Sequence, residues 1–210
     1  MSEPVTKDRA ETGRVEAFSD GVFAIAITLL VLELHGPVQD VSKHRSVSLW
    51  SGLVKEWPQF AAYLTSFAII GIMWVNHHSM FSTIVRSDRP LLFLNLLLLL
   101  WTSLLPFPTS LVADHLRGGG QDAAVAEAIY GANLTLSAIA FSLIWMHAVR
   151  GGRLTGVRLE RRAEWAAVGR FSVGTFVYAA TIGLAFLYAP AALAVQFLLA
   201  VYYAFEQITA

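Results

Sequence analysis

Two polar residues, Ser19 and Asp20, stand inside an apolar stretch that runs from residue 14 to residue 34. If this stretch crosses a membrane, its carboxylate costs roughly 2.5–3.5 kcal/mol at the middle of the bilayer and less near the ends. Asp20 must therefore have either a partner or a function. It can act as a hydrogen-bond acceptor that holds a helix in place, or as a charge that attracts cations.

A second polar group lies in the segment WVNHH, which runs from Trp74 through Asn76 to His77 and His78. Two histidines can bind a metal ion, but adjacent residues on a helix point about 100° apart. We therefore interpret His77 and His78 as hydrogen-bonding groups and predict no metal site.

The chain that must position these residues has 210 amino acids, of which 56% are hydrophobic and only 14% charged. Soluble domains contain about 25% charged residues, so this composition indicates a membrane protein. Cysteine is absent, which excludes disulfide and thiol chemistry, and a net charge of +0 gives no case for nucleic-acid binding. Residues 1–13 are polar, and we expect a disordered lead-in there rather than a cleavable signal peptide.

Apolar spans fill most of the chain and predict an all-α membrane protein with six transmembrane helices per subunit, in one domain over residues 14–210. Each span is near the roughly 20 residues that a membrane helix needs, and the period-2 alternation of a β-barrel is missing. Pro106 and Pro108 should kink the third span, and a short turn around Ala189-Pro190 separates the last two. The predicted spans are 14–34, 57–81, 90–113, 123–149, 165–188 and 191–208.

The distribution of lysine and arginine predicts that both termini are cytoplasmic. Eleven of these residues fall on the side of the termini, against four on the other side, namely Lys43, Arg45, Lys55 and Arg117. The main basic segment, 150–165, is either a topology signal that faces anionic lipid, which we favour, or a ligand site.

In this topology the first span runs outward and the second runs inward, so their polar groups lie at the same cytoplasmic level. Asp20 can then find a partner on the second span. Arg14 is a poorer partner within the first helix, because six residues turn about 600° and leave the two side chains some 120° apart. Arg14 can still meet Asp20 of another subunit.

An apolar stripe follows the first span at steps of four, three, four and three residues. By spacing alone it is a lipid-facing or helix-packing stripe, and because the helix is apolar nearly all round, periodicity cannot select a functional face. The stripe consists of Phe18, Val22, Ile25, Leu29 and Leu32.

The segment RVEAFSDGV, from residue 14 to residue 22, matches the R-x-x-x-F-S-D signature of the transmembrane protein 175 family, which contains endosomal and lysosomal potassium channels and bacterial relatives. The later WVNHH segment also resembles that family, and the six-span layout covers the whole chain. A single six-helix unit is similar to the bacterial members, which assemble as tetramers. The animal proteins carry two such units and dimerise.

The resemblance implies a pore lined by the first helix of each subunit, with permeant K+ and no other cofactor. Family members conduct potassium without a T-V-G-Y-G filter, and this chain has no such stretch. By position after the F-S-D motif, Ile25 matches the constriction, with Leu29 and Leu32 as further apolar rings, and Thr28 matches a hydroxyl linked to selectivity. The implied network that holds the pore helix consists of Arg14, Phe18, Ser19, Asp20, Trp74, Asn76, His77 and His78.

Such a pore helix must keep a fixed rotation, because a turn of about 100° would replace one ring of side chains by another. Ser19 and Asp20 can supply that anchor. The competing interpretation is that Asp20 faces the pore and concentrates cations. We favour the anchor, because Asp20 lies about 140° around the helix from Ile25.

We predict a passive, potassium-selective or potassium-preferring channel, gated by the apolar ring, in the bacterial cell membrane. The expected partners are other copies in a homotetramer and membrane lipid, with no nucleic acid and no small-molecule substrate. The alternative is a secondary cation or proton transporter, but no clear internal repeat supports it. A membrane enzyme is disfavoured, because the catalytic motifs H-E-x-x-H and G-x-S-x-G are missing and no catalytic residue is predicted.

Overall fold

The computed structural model describes residues 3–35, 48–152, 154–155 and 161–209, and the regular elements within these ranges are helices. The α-helices are α1 (Glu3–Leu29), α2 (Leu49–Lys55), α3 (Trp57–Thr83), α4 (Arg89–Leu104), α5 (Pro106–His115), α6 (Gly120–Val149) and α7 (Arg161–Thr209). Two short 3-10 helices, η1 (Leu30–Glu33) and η2 (Arg150–Gly152), continue α1 and α6.

The first helix begins earlier than the apolar pattern indicates. It starts at Glu3 and so includes most of residues 1–13, for which we predict a disordered lead-in. Pro4 lies in its first turn, where proline is tolerated, and no other proline interrupts the helix before it ends at Leu29. The domain boundary at residue 14 stays a prediction.

Proline breaks the third span as expected. α4 ends at Leu104 and α5 begins at Pro106, so Leu105 is the junction between them. Proline lacks the N–H that a continuous helix would need at this point. At the other end of the span, the Asp88 side chain caps α4 by accepting a hydrogen bond from Leu91 N at 2.9 Å.

The last helix is a hairpin of two limbs rather than one long rod. Tyr188 has φ −161° and ψ 95°, which interrupts the helix, and Pro190 follows inside it. Gln196 Nε2 donates to Thr181 Oγ1 at 2.9 Å, although fifteen residues separate them. A straight helix would hold those residues about 22 Å apart at 1.5 Å per residue. The limbs 161–187 and 189–209 therefore lie side by side, and the predicted turn around Ala189-Pro190 is confirmed.

Five helical segments among the described residues are long and apolar enough to cross a membrane: Glu11–Glu33, Trp57–Thr83, Arg89–His115, Gly120–Val149 and Val173–Phe205. Because the last segment folds back at Tyr188, its two limbs correspond to the fifth and sixth spans predicted from the sequence. The buried core includes Phe81, Leu98, Tyr130 and Ile144, so it is shared by α3, α4 and α6. α1 packs on the outside of this core, against α3 and α4.

Candidate pore helix and its polar contacts

The helix that carries the F-S-D motif has one buried face and one open face. Phe23, Ala26 and Leu30 are almost fully buried against the rest of the chain. The opposite side is open: Ile25 is 61% exposed and Leu32 is 66% exposed. In the most apolar part of the segment Glu11–Glu33, 22% of the residues are buried, whereas the corresponding share is 33–50% in the other four segments long enough to cross a membrane. Among the described spans, α1 is thus the one that the subunit covers least.

Thr28 lies on the open face with Ile25 and is joined to it by a hydrogen bond. The Thr28 hydroxyl donates to the Ile25 carbonyl at 2.9 Å. Its one proton is used in this bond, so Thr28 Oγ1 offers only lone pairs to whatever lies beside the helix. The hydroxyl can accept a hydrogen bond from water or contact a cation, but it has no proton left for another acceptor.

The helix tightens where the apolar stripe continues toward its end. α1 stops at Leu29, and residues Leu30–Glu33 form η1. In a 3-10 helix the side chains three residues apart eclipse each other, so Leu32 lies nearly above Leu29. Both leucines are exposed, whereas Leu30 is buried between α1 and its neighbours. Ile25, Leu29 and Leu32 therefore share one open face.

Two hydrogen bonds join α1 to α3 near the F-S-D motif. Trp74 Nε1 donates to Asp20 Oδ1 at 2.9 Å. One turn away, His78 Nδ1 and Glu16 Oε1 lie 2.7 Å apart. Asp20 follows Glu16 by four residues on α1, whereas its partner Trp74 precedes His78 by four residues on α3. This opposite order is expected for antiparallel helices. These two contacts place the polar groups of the first two spans at one level, as predicted.

A third contact runs from α1 through α4 to α3. Ser19 donates to the Val15 carbonyl at 2.9 Å and accepts from Asn95 Nδ2 at 2.9 Å. Asn95 Oδ1 then lies 3.0 Å from His77 Nε2. Because the Ser19 proton is used, the amide nitrogen of Asn95 must face Ser19, and its oxygen must accept from His77. His77 is therefore protonated on Nε2, and its buried Nδ1 has no hydrogen-bond partner among the residues that the structure describes.

Aromatic contacts surround the buried histidine. The rings of His77 and Phe81 stack at a centroid distance of 4.2 Å. Phe23 of α1 lies on the same imidazole at 5.4 Å. The Ser19–Asn95–His77 chain is thus enclosed by apolar rings, which shield its hydrogen bonds from competing water.

The other residues of the implied network take different positions. Asn76 is half-buried on α3, and Arg14 is exposed. Phe18 is 58% exposed and lies on the same side as Ile25, so within one subunit it does not join the contacts of Ser19 and Asp20. Among the described residues no cluster of three histidine, cysteine or acidic side chains could hold a metal ion. His77 and His78 instead point to different partners, Asn95 and Glu16.

Asn95 and Glu16 are the two contact residues that sequence reasoning missed. Asn95 is the only strongly polar residue in the run LLFLNLLLLLW, from residue 91 to residue 101. A lone amide inside such a run is costly in a membrane and generally marks an interhelical hydrogen bond. Glu16 carries no comparable signal, because an acid two residues from Arg14 is indistinguishable from a solvated charge.

Comparison with known proteins points to one family. The sequence profile described as the endosomal/lysosomal potassium channel TMEM175 matches residues 14–106. A potassium channel of Streptomyces collinus is 48% identical over 200 residues, which make up 94% of this chain and 94% of that protein. A potassium channel of Chamaesiphon minutus is 41% identical over 197 residues, which cover 94% of this chain and 95% of that protein.

The fold leads to the same group. The crystal structure of a lysosomal potassium-selective channel TMEM175 homolog from Chamaesiphon minutus matches with a TM-score of 0.82 at 40% identity. The match covers 94% of this chain and 98% of that one. The likeness to these channels therefore extends over nearly the whole chain, in sequence and in structure.

Proposed function

The chain belongs to the TMEM175 family of channels, and from this premise we propose that it is a cation channel that prefers potassium. It conducts passively through a central pore lined by α1 from four copies. It lies in the cell membrane of a bacterium, with both termini in the cytoplasm. The family is a channel family and not a class of enzymes.

One observation carries the proposal: α1 is held firmly on one side and left open on the other. Its open face carries Ile25, Thr28 and Leu32, while Ser19 and Asp20 on other faces bond to α3 and α4. A helix that only faced lipid would not need these polar contacts to set its rotation. A helix that lines a pore needs them, because its rotation decides which side chains form the narrowest ring.

The open face also favours close contact between copies of α1. Between the bulky positions lie small exposed residues, at steps of four, three and four, which let helix backbones approach each other in a membrane. A ring of four α1 helices can therefore close around an axis and bring its apolar side chains together. The small exposed residues are Ala17, Gly21, Ala24 and Thr28.

Ile25 forms the proposed gate, with Leu29 and Leu32 as rings further along the axis. An apolar ring narrow enough to exclude water opposes ions, because it replaces none of the hydration that the ion loses. Thr28 is the proposed selectivity residue. Its lone pairs face the open side and can stand in for a lost water molecule beside the gate.

Asp20 is assigned to the anchor rather than to the pore lining. Its carboxylate accepts a hydrogen bond from Trp74, which holds it toward α3. Asp20 also lies about 140° around the helix from Ile25, which turns the carboxylate away from the proposed ring. Ser19, Asn95, His77, His78 and Glu16 complete the proposed anchor through the contacts described above.

The test is ion flux through the purified protein in liposomes with an outward potassium gradient. We expect K+ to leave down its gradient without any counter-substrate, and Na+ to leave more slowly under the same gradient. A dye for internal pH, read in the same liposomes, separates this from transport coupled to protons. Flux that requires an opposing ion or proton gradient would assign the chain to the alternative class, the secondary transporters.

A further inference from the structure

A buried carboxyl group lies far from the α1 contacts, inside the bundle of each subunit. Glu127 is on α6, seven residues from the helix start, and its side chain is 0% exposed. Among the described residues neither Oε1 nor Oε2 has a hydrogen-bond partner of good geometry, although the Gln196 side chain lies close enough to interact with the carboxyl group. A fully buried acid without a donor from the protein is costly in its ionised form, which makes its protonation state a question of function.

The hydroxyl groups near this acid have given their protons to other acceptors. Thr109 donates to the Leu105 carbonyl at 2.8 Å, so Ser66 must donate to Thr109, and Tyr130 must donate to Ser66, each at 2.8 Å. This chain leaves no proton of the Tyr130 phenol for Glu127, although the two residues share one face of α6.

The hydrogen-bond donors and acceptors on the two limbs of α7 can be assigned in the same way. Thr181 donates to the Tyr178 carbonyl at 2.7 Å and therefore accepts from Gln196 Nε2 at 2.9 Å. The amide oxygen of Gln196 then points away from Thr181, and it is buried without a partner. Three buried acceptor oxygens, two from Glu127 and one from Gln196, thus lack a donor in one region of the bundle.

The lack of a side chain at Gly131 allows Glu127 and Gln196 to lie close together. A Cβ atom at Gly131 would lie 3.1 Å from Thr181 Oγ1 and 3.5 Å from Gln196 Nε2. Because Gly131 is one turn from Glu127 on α6, its missing side chain lets α7 place Gln196 beside the acid. The groups that face this region are neutral amides, hydroxyls and phenols: Ser66 on α3, Thr109 on α5, Tyr130 on α6, and Tyr178, Thr181 and Gln196 on α7.

We propose that Glu127 is a proton-binding site inside each subunit, separate from the pore. One proton on the carboxyl removes its charge and supplies the missing donor, which can point to the amide oxygen of Gln196. Release of that proton leaves an unpaired charge between α6 and the two limbs of α7, so the packing of these helices depends on pH.

The start of α6 borders a cavity, which stops short of Glu127 and marks the side from which a proton can approach. It has a volume of about 680 Å³ and opens at the end of the bundle where α6 begins and α7 turns. Ala123 and Ala124 line it, together with Arg117 and Tyr188. Glu127 lies three and four residues beyond the two alanines, on the same side of α6 and about one turn deeper.

The first experiment is thermal unfolding of the detergent-purified full chain from about pH 5 to about pH 9. We expect the melting temperature of the wild type to fall as pH rises, because the unfolded chain releases the Glu127 proton to water while the folded chain retains it. Glu127→Gln, a neutral variant of the same shape, should lose most of this dependence. Asp122→Asn, which removes an exposed acid from the same helix, should keep the profile of the wild type.

A comparison of two salts distinguishes binding of a proton at Glu127 from binding of a metal cation there. Each series is run in potassium chloride and in N-methylglucamine chloride at equal ionic strength. Equal profiles support the proton site. A stabilisation by potassium that disappears in Glu127→Gln contradicts it and assigns a potassium site instead, and an unchanged profile in Glu127→Gln overturns the proposal altogether.

Infrared spectroscopy of the wild type tests the same site if Glu127→Gln does not fold. A carbonyl band of a protonated, buried carboxylic acid should be present at neutral pH. Gln196→Leu, which removes the proposed acceptor, should shift that band to higher frequency. Absence of the band, or a band that Gln196→Leu does not move, contradicts the proposal. Because neither measurement uses ion flux, a failure here is distinct from a failure of the channel proposal.

Discussion

Asp20 of α1 accepts a hydrogen bond from Trp74 of α3 at 2.9 Å, one helical turn from the contact between Glu16 and His78. The two contacts lie on one side of α1, and the open stripe with Ile25 lies on another. A carboxylate that looks out of place in an apolar span is thus part of a helix-to-helix contact. We expect this contact to control the rotation of α1.

The first prediction concerns that contact. Trp74→Phe keeps an aromatic ring but removes the donor to Asp20, and Asp20→Ala removes the acceptor. If the contact is an anchor, both variants should shift the open probability in single-channel recordings and lower the yield of assembled protein. An Asp20 in the pore would give another result: Asp20→Asn alone would change conductance, most strongly at low salt, where screening is weak.

The second prediction concerns the buried chain from Ser19 to His77. Asn95→Leu removes both of its interhelical hydrogen bonds at once, each worth about 0.6 kcal/mol and at most ~1.7 kcal/mol in membrane proteins. We expect a lower melting temperature and altered gating. Ser103→Ala is the control on the same helix, because its exposed hydroxyl bonds only to its own helix at Leu100. Equal effects of the two substitutions would contradict an anchoring role for Asn95.

The third prediction concerns assembly. In the single chain a Cβ atom at Gly21 would meet nothing within 4 Å, so Gly21→Leu should leave the fold of the subunit intact. At a four-helix axis the added side chain would separate the α1 helices. Mass measurement in detergent should therefore show loss of the tetramer. Gly183→Leu, at an exposed and equally open site on α7, should remain tetrameric.

The fourth prediction concerns selectivity. Thr28→Ala removes the oxygen that faces the open side of α1, and Thr28→Ser retains it. Reversal potentials between potassium and sodium solutions should show reduced potassium preference in Thr28→Ala and nearly normal preference in Thr28→Ser, with current present in both. Equal selectivity in Thr28→Ala and the wild type would remove Thr28 from the proposed selectivity site.

The apolar passes, the proline break and the turn before Pro190 could be predicted from the sequence, because each depends on local hydropathy or on one residue type. The sequence could also predict that Asp20 and Trp74 lie at the same level of the bundle, because the first two spans run in opposite directions. The partners of Ser19 and His78 could not be predicted in this way. They depend on the rotation of three helices relative to each other, and α1 is too apolar all round for its pattern to reveal its faces.

Glu127 illustrates the same limit. In the sequence it is one of two acids near the start of α6 and resembles a solvated charge such as Asp122. Its burial arises because α7 folds back and packs both limbs on α6, with Gly131 providing the space. Its lack of a donor follows from the surrounding hydroxyl groups, whose protons are used in other hydrogen bonds.

The central claim is that Ile25 and not Leu30 faces the ion path. Basal potassium current of Ile25→Ala and Leu30→Ala, recorded in one bilayer system, tests it most directly. Ile25→Ala shrinks an exposed side chain in every subunit, so the ring should widen and wet and the current should rise. Leu30→Ala removes a fully buried side chain, so it should cost about 2–5 kcal/mol of stability and leave the pore current per channel near that of the wild type. A rise of current in Leu30→Ala with none in Ile25→Ala would contradict the account, because another face of α1 would then line the pore.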